Sequence, residues 1–240
     1  FKKLKNQLKT DCTFFVNIGG IINFTEFSRN PFFEDKILLA GDVGPGMCLL
    51  DKLIRDNLDQ RYDENGKIAK SGKVNKSKLI KLQKNLKEEL AGKQIQFLTW
   101  KYYDRIKMKL PTEEYYYLSL DINKFDYSIV KRLTLKDAAA TLTELTSSII
   151  AECEDSGISS DTLILCGGGR KNKFLVQRIK KINKRLKVKL IDDYGINGDF
   201  VESQAFAYLA IRSFLGLPIT FPNTTGCKEP CTGGVVVKNF

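Results

Sequence analysis

Short apolar runs alternate with amphipathic stretches along this chain, and the alternation predicts an α/β protein. Residues 12–17 (CTFFVN) and 21–27 are rich in β-formers on either side of Gly19-Gly20. That reads as a β-hairpin, with the glycines supplying positive φ at the turn. Residues 36–40 (KILLA) predict a third strand running into the turn Gly41-Asp42-Val43-Gly44-Pro45-Gly46. A helix opened by Pro45 follows, with Leu49, Leu50, Leu53, Ile54 and Leu58 spaced at the helical period.

From 59 to 72 the pattern turns polar and predicts a surface excursion. A lysine-rich helix comes next, with Leu79, Leu82, Leu86 and Leu90 inward and Lys76, Lys78, Lys81, Lys84 and Lys87 on the solvated face. Residues 92–131, with Tyr115-Tyr116-Tyr117 among their aromatics, follow neither period. Thr134 opens the most regular helix, with Asp137 near its start, Leu135, Ala138, Leu142, Leu145, Ile149 and Cys153 on one face, and Gly157 past its end. Then come a strand at 162–166 (TLILC), a sharp exit at Gly167-Gly168-Gly169, a basic helix at 174–186, a strand at 188–191 and a mostly apolar helix at 199–215. Helix, strand, helix, strand, helix is the order of a sheet covered by helices. The tail carries Pro218, Pro222 and Gly226 and ends in the β-forming Val235-Val236-Val237.

Composition narrows the picture. The 240 residues suit one large domain or a compact two-lobed one, and 42% hydrophobic against 28% charged residues exclude wholesale disorder. No run approaches the ~18 apolar residues of a membrane span. The chain opens on Phe1, with a strand-like run almost at once, so it reads as the later part of a longer protein. On that reading residues 1–11 end a linker or helix from a missing N-terminal domain. Residues 12–240 then form the C-terminal domain, with an insertion at about 59–131.

A net charge of +11 could signal nucleic acid, but 30 Lys against 9 Arg is a poor base-reading set, and specific nucleic-acid binding is disfavoured. The six cysteines are scattered and read as buried reduced thiols; Cys227 and Cys231 lack a second pair, which argues against zinc. There is no histidine, so acid–base chemistry must rest on carboxylates, Lys, Tyr or Cys.

Three glycine turns each follow an apolar strand: Gly19-Gly20, Gly41 to Gly46, and Gly167-Gly168-Gly169. Glycine at a strand exit lets backbone N–H groups approach a ligand, phosphate above all. Neither a P-loop nor a Rossmann fingerprint occurs. What remains is an architecture in which a hairpin turn holds phosphates and a glycine-rich strand–helix turn lies against adenosine. Asp42 reads either as an ordinary turn residue or as a carboxylate base aimed into a cleft. Glu202 reads either as a favourable charge at a helix N-terminus or as a second functional carboxylate.

The blocks VNIGGIINFT (16–25), GDVGPGMCLLD (41–51), YDENGKIAKSGKV (62–74), LILCGGGRKN (163–172), DYGINGDFVESQAFAYLAIR (193–212) and GLPITFPNTTG (216–226) closely resemble the anhydro-N-acetylmuramic acid kinases, in that family's order. The resemblance implies a cytoplasmic two-domain kinase of the actin, hexokinase and heat-shock-70 superfamily. Its domain here would be ribonuclease-H-like (an actin-like ATPase domain), a mixed sheet flanked by helices. It implies ATP and Mg²⁺ as cofactors and phosphorylation of O6 of 1,6-anhydro-N-acetylmuramic acid while water opens the anhydro bridge, in cell-wall recycling. Asp42 would be the base that activates the water, with Glu202 assisting at the sugar pocket. Gly19 and Gly20 would border the phosphates, and Gly167, Gly168, Gly169 and Asn172 the adenosine, with Gly44 also among the cofactor-binding residues; no residue is assigned to a metal. Val43 stands where the family usually has Thr, and Met47 where it has Asn. The family's first phosphate loop has no counterpart, so the alternative is a remnant that binds nucleotide or sugar without catalysis. A homodimer is compatible with either reading.

Overall fold

The computed structural model describes residues 4, 12–28, 36–91, 120–152, 162–235 and 237. Five strands form one mixed sheet in the order β3-β2-β1-β4-β5. They are β1 (Cys12–Ile18), β2 (Ile21–Ser28), β3 (Lys36–Pro45), β4 (Thr162–Cys166) and β5 (Lys187–Leu190). β2 lies antiparallel to β1 and β3, whereas β1, β4 and β5 are parallel. β1, β3, β4 and β5 therefore all end at the same edge of the sheet.

The helices are α1 (Cys48–Asn57), α2 (Lys67–Ser71), α3 (Lys76–Ala91), α4 (Leu135–Glu152), α5 (Lys173–Ile182), α6 (Val201–Phe214) and the short α7 (Pro222–Thr225). The main core joins Phe14, Val16 and Ile18 of β1 to Leu142, Leu145 and Ile149 of α4, with Leu163 and Leu165 of β4 beside them. Ile164 and Cys166 of β4 point the other way, into a second cluster with Leu4 and Ile191. All five residues of β4 are buried, as expected of a central parallel strand covered on both faces.

Helix α4 is buried well beyond the single face that its leucines predict, because α1, α2, α3, α5 and β3 all pack on it. Its small polar residues tolerate this by bonding to backbone carbonyls: Thr141 Oγ1 to Asp137 (2.7 Å), Ser147 Oγ to Thr143 (2.7 Å) and Ser148 Oγ to Leu145 (2.8 Å). Thr134 caps the helix, its Oγ1 accepting from the Asp137 N–H at 3.3 Å.

Several expectations need correction. β3 does not stop at residue 40 but continues to Pro45, so Asp42 lies in a strand. Helix α1 starts at Cys48 rather than Pro45, because Pro45 still pairs with Ile21. Gly19 and Gly20 do not adopt positive φ. The basic helix ends at Ile182, and the sequence beyond Asn183 turns into β5. The polar stretch at 59–72 is not merely superficial: Asp63 is buried, and its carboxylate accepts from Ile68 and Ala69 N–H, each at 2.9 Å. Of the cysteines expected to be buried, Cys166 is, whereas Cys231 is exposed. Val235 and Val237 are exposed and form no strand. Cys153, Gly157 and Tyr115-Tyr116-Tyr117 lie outside the described residues.

Burial in α1 pushes the Asp51 carboxyl up to about 6, with Asp63 nearby raising it further and Arg55 opposing. Its Oδ1 is buried without a hydrogen-bond partner. A carboxyl held above its unfolded value makes the folded state bind more protons, so this group costs stability as pH rises from about 4 to 6. Asp51→Asn removes that cost. The variant should gain thermal stability over the native protein at pH 7–8 and lose the advantage near pH 4, as melting curves at both pH values will show.

Candidate functional site

Three glycine turns that are far apart in sequence meet at the edge where the parallel strands end. β1 and β4 pair in register up to Asn17 and Cys166, so Gly19-Gly20 and Gly167-Gly168-Gly169 leave the sheet side by side. The turn after β3 docks onto the first of them. Gly46 and Cys48 N–H donate to the Gly20 carbonyl at 2.9 and 3.2 Å, and Met47 N–H donates to the Gly19 carbonyl at 2.9 Å. From behind, Thr146 Oγ1 of α4 donates to the Gly46 carbonyl at 2.8 Å. That last contact has no sequence signature, since Thr146 is a polar residue within an apolar helix.

The glycines fall into two groups. A Cβ at Gly167 would collide with Asn17 Oδ1, and one at Gly169 with Ile18 Cγ2; a Cβ at Gly46 would collide with the Gly19 carbonyl oxygen. Gly167 also has φ +75°. Gly44 is buried, and a Cβ there would press on Ile149 Cδ1 at 3.2 Å. Internal packing therefore accounts for these four. Around Gly168 a Cβ would meet nothing within 4 Å, and at Gly19 and Gly20 the nearest atoms lie at 3.5 and 3.6 Å. Neither backbone conformation nor packing demands glycine at 19, 20 or 168; of the three, Gly168 faces open space, whereas at Gly19 and Gly20 a Cβ would make ordinary contacts and the Gly19 N–H is bonded to the Ile21 carbonyl at 3.2 Å. Gly168 also heads a 3₁₀ turn (Gly168–Lys171), so its N–H has no acceptor within the turn.

Asp42 sits beside a bulge in which Val43 is the unpaired residue, since Ile22 pairs with Gly44 and Asn23 with Asp42. Bulges re-aim side chains, often next to active sites. The carboxylate is partly exposed; Oδ1 accepts from Asn23 Nδ2 at 3.2 Å and Oδ2 from the Leu120 N–H at 2.8 Å. Val43 and Met47 are buried in the main core, which accommodates their apolar side chains. Glu202 lies exposed on the first turn of α6, and among the described residues no hydrogen bond joins it to Asp42. Asn172 faces inward rather than towards open space: it is buried, and its Oδ1 caps α5 by accepting from the Leu175 N–H at 3.0 Å.

Beyond the third glycine turn a pocket of about 530 Å³ is lined by Arg170, Lys171, Leu190, Asp192, Gly195, Ile196, Asn197 and Asp199. The Arg170 guanidinium hydrogen-bonds Asp192 and holds its carboxyl down at about 2. Hydrogen bonds from Lys171 and then Arg170 lower Asp199 as well. None of these four residues stands out in the sequence as a site residue, although basic residues at 170–171 and acidic ones at 192 and 199 are there to be paired.

Because Gly168→Ala is unopposed by packing, it should leave the fold intact or stabilise it by about 0.4–1 kcal/mol. If a ligand approaches this backbone, the same methyl should weaken nucleotide binding by about tenfold, on the order of one lost charge-assisted hydrogen bond. Titration calorimetry with ATP, alongside a melting curve, checks both.

The family model for anhydro-N-acetylmuramic acid kinase matches residues 2–239. Among similar proteins, the anhydro-N-acetylmuramic acid kinase of Pelagibacter ubique is 43% identical over 232 residues, covering 94% of this chain and 55% of the relative. That of Caulobacter vibrioides is 35% identical over 223 residues, covering 92% and 52%. That of Brucella canis is 34% identical over 227 residues, covering 93% and 53%. The chain spans about half the length of the curated relatives it matches. With an end-to-end family match laid over an edge where the family's glycine blocks converge, the chain belongs to the anhydro-N-acetylmuramic acid kinase family.

Proposed function

We propose that this chain is the C-terminal, nucleotide-binding part of an ATP-dependent kinase with an actin-like ATPase fold. The enzyme would phosphorylate O6 of 1,6-anhydro-N-acetylmuramic acid with hydrolytic opening of the anhydro bridge, giving N-acetylmuramic acid 6-phosphate in cell-wall recycling. The observation that carries the reading is the meeting of the three glycine turns, with Gly19, Gly20 and Gly168 bare of any internal reason to be glycine. Phosphate oxygens would take the backbone N–H at Gly20, the Gly19 N–H being bonded within the turn to the Ile21 carbonyl at 3.2 Å, and the nucleoside would lie along Gly167 to Gly169 towards the pocket. Asn172 would serve that turn by fixing the start of α5 behind it.

Asp42 is the proposed base. A water attacks the anomeric carbon, Asp42 accepts its proton, the C1–O6 bond breaks, and O6 takes the γ-phosphoryl group as ADP leaves. The hydrogen bonds from Asn23 and Leu120 hold the carboxylate in one orientation while leaving it partly open to the edge. Glu202 would act from the sugar side. Among the described residues no three metal-ligating side chains cluster. Mg²⁺ would enter as MgATP, bound mainly by phosphate oxygens and water.

The remainder of the proposed enzyme would be an N-terminal domain closing over the same edge. Helix α6 is compatible with this: it has no buried residue, and Phe206, Tyr208, Ile211 and Phe214, spread around the helix, are exposed apolar side chains that a further domain would cover.

Catalysis of this type is mostly positioning, and half a cradle positions poorly. The isolated 240 residues should bind ATP weakly and not turn over, whereas the product of the complete gene should convert MgATP and the anhydro sugar to a phosphorylated sugar. Chromatography of the sugar product tests this. Binding of ATP or sugar by the complete product without turnover would favour the non-catalytic remnant, and robust turnover by the 240 residues alone would contradict the division into parts.

A further inference from the structure

A buried guanidinium ties the third glycine turn to the loop that leads into α6. Arg170, 5% exposed, directs Nε and Nη2 at Asp192 Oδ2 and Oδ1, at 2.7 and 3.1 Å. Its Nη1 donates both to Asp199 Oδ1 and to the Gly167 carbonyl, each at 3.0 Å. Lys171 Nζ holds the other Asp199 oxygen at 2.7 Å, and the Gly198 N–H reaches Asp192 Oδ1 at 3.3 Å. Gly198 lies directly against the guanidinium, where a Cβ would collide with Nε and Cζ. Two carboxylates already neutralise Arg170, so it is poorly placed to serve as a cation for a phosphate.

The tie runs beside the pocket. Arg170 and Lys171, which continue the glycine turn opened by Gly167, line one side, and Asp192, Gly195, Ile196, Asn197 and Asp199 form the facing wall. The turn has no side chains of its own to fix its distance from that wall, and the wall is largely exposed. Only a planar fork of donors can grip a carboxylate in two places and a carbonyl in a third, a geometry that lysine lacks.

We propose that Arg170 is the positioning residue that sets the width of the nucleotide pocket, by pinning the Gly167 carbonyl to Asp192 and Asp199. The inference rests on the kinase reading and goes beyond it by assigning pocket geometry to a residue that need not touch the ligand. Rigid support of this kind decides whether a site is held to the required fraction of an ångström. Gly198 belongs to the same device, because it alone leaves room for the guanidinium. Its φ lies outside the left-handed region, so alanine there would act through the collision and not through backbone strain.

The test uses the complete gene product, with ATP dissociation constants by calorimetry and steady-state constants for both substrates. Arg170→Lys and Gly198→Ala should each raise the ATP dissociation constant and KM by about tenfold or more, while kcat and the sugar KM move little. In an Arg170→Ala background, Gly198→Ala should add nothing, because the space it fills is empty. Arg170→Lys and Gly198→Ala keep the test open if Arg170→Ala fails to fold. The proposal is overturned if Arg170→Lys leaves ATP affinity within about twofold of native, or if the two sites contribute independently. It is also overturned if the sugar KM rises as much as the ATP KM, the outcome expected of a general loss of structure. A native protein that binds no ATP removes the kinase reading and this proposal together; one that binds ATP but is indifferent to both sites removes the proposal alone.

Discussion

Asp42→Asn in the complete enzyme should lower kcat by about 10²–10⁴-fold, the range of a general base, with ATP affinity nearly unchanged. The amide keeps the size of the carboxylate and one oxygen, so it can still accept from the Leu120 N–H, now found at 2.8 Å. It cannot take a proton from water at neutral pH. The loss should therefore fall on the chemical step and spare the fold, which a parallel melting curve will verify. A variant retaining more than about a tenth of native kcat would lie outside the range of a base. Asp42 would then be a strand residue that ties β3 to Asn23 and to Leu120, and the proton would have to pass to Glu202.

Gly167→Ala should be the most damaging single methyl in the site. It places a Cβ on a residue at φ +75°, and that Cβ meets Asn17 Oδ1 and, at 2.8 Å, the Ile18 carbonyl oxygen. Backbone at φ 75°, ψ 175° is essentially confined to glycine and costs another residue roughly 1–3 kcal/mol, and overpacking about 1–3 kcal/mol more. A loss of about 2–6 kcal/mol is a large part of a typical domain's roughly 5–15 kcal/mol. The urea midpoint should fall sharply without a change in slope. A midpoint equal to that of the native protein would show that β1 and the third glycine turn are not locked together as described. Set beside Gly168→Ala, one residue away and unopposed, the pair separates a glycine required by packing from one left open for a ligand.

The hairpin, α1, α4, β4 and α5 were legible in the sequence because each carries a pattern that local physics enforces. Thr134 caps α4 where the sequence placed it, and the apolar spacing of Leu49, Leu50, Leu53 and Ile54 is the buried face of α1. What escaped depends on partners distant in sequence. Residues 41–45 read as a turn because glycine and proline are poor strand formers, yet pairing with β2 draws them into β3 and accommodates Val43 in a bulge. Ser147 and Ser148 are buried because α4 is enclosed, which no single-helix periodicity can announce.

Of the candidate site, the sequence shows the three glycine turns and the carboxylates Asp42 and Glu202, but not which glycines packing requires. Gly44, Gly167 and Gly169 have structural reasons to be glycine, whereas Gly19, Gly20 and Gly168 do not. Asn172 is a cap, visible in hindsight as an Asn directly before a helix. Arg170, Asp192 and Asp199 form their cluster only once β4 and β5 lie side by side.

The most direct test of the central claim is the mass of the sugar product formed by the complete enzyme from MgATP and 1,6-anhydro-N-acetylmuramic acid in ¹⁸O-water. Hydrolytic opening coupled to phosphoryl transfer predicts a product heavier by one phosphoryl group and one water, with the label at the anomeric carbon. An unmodified sugar, or a phosphosugar that keeps its anhydro bridge and carries no label, would contradict it.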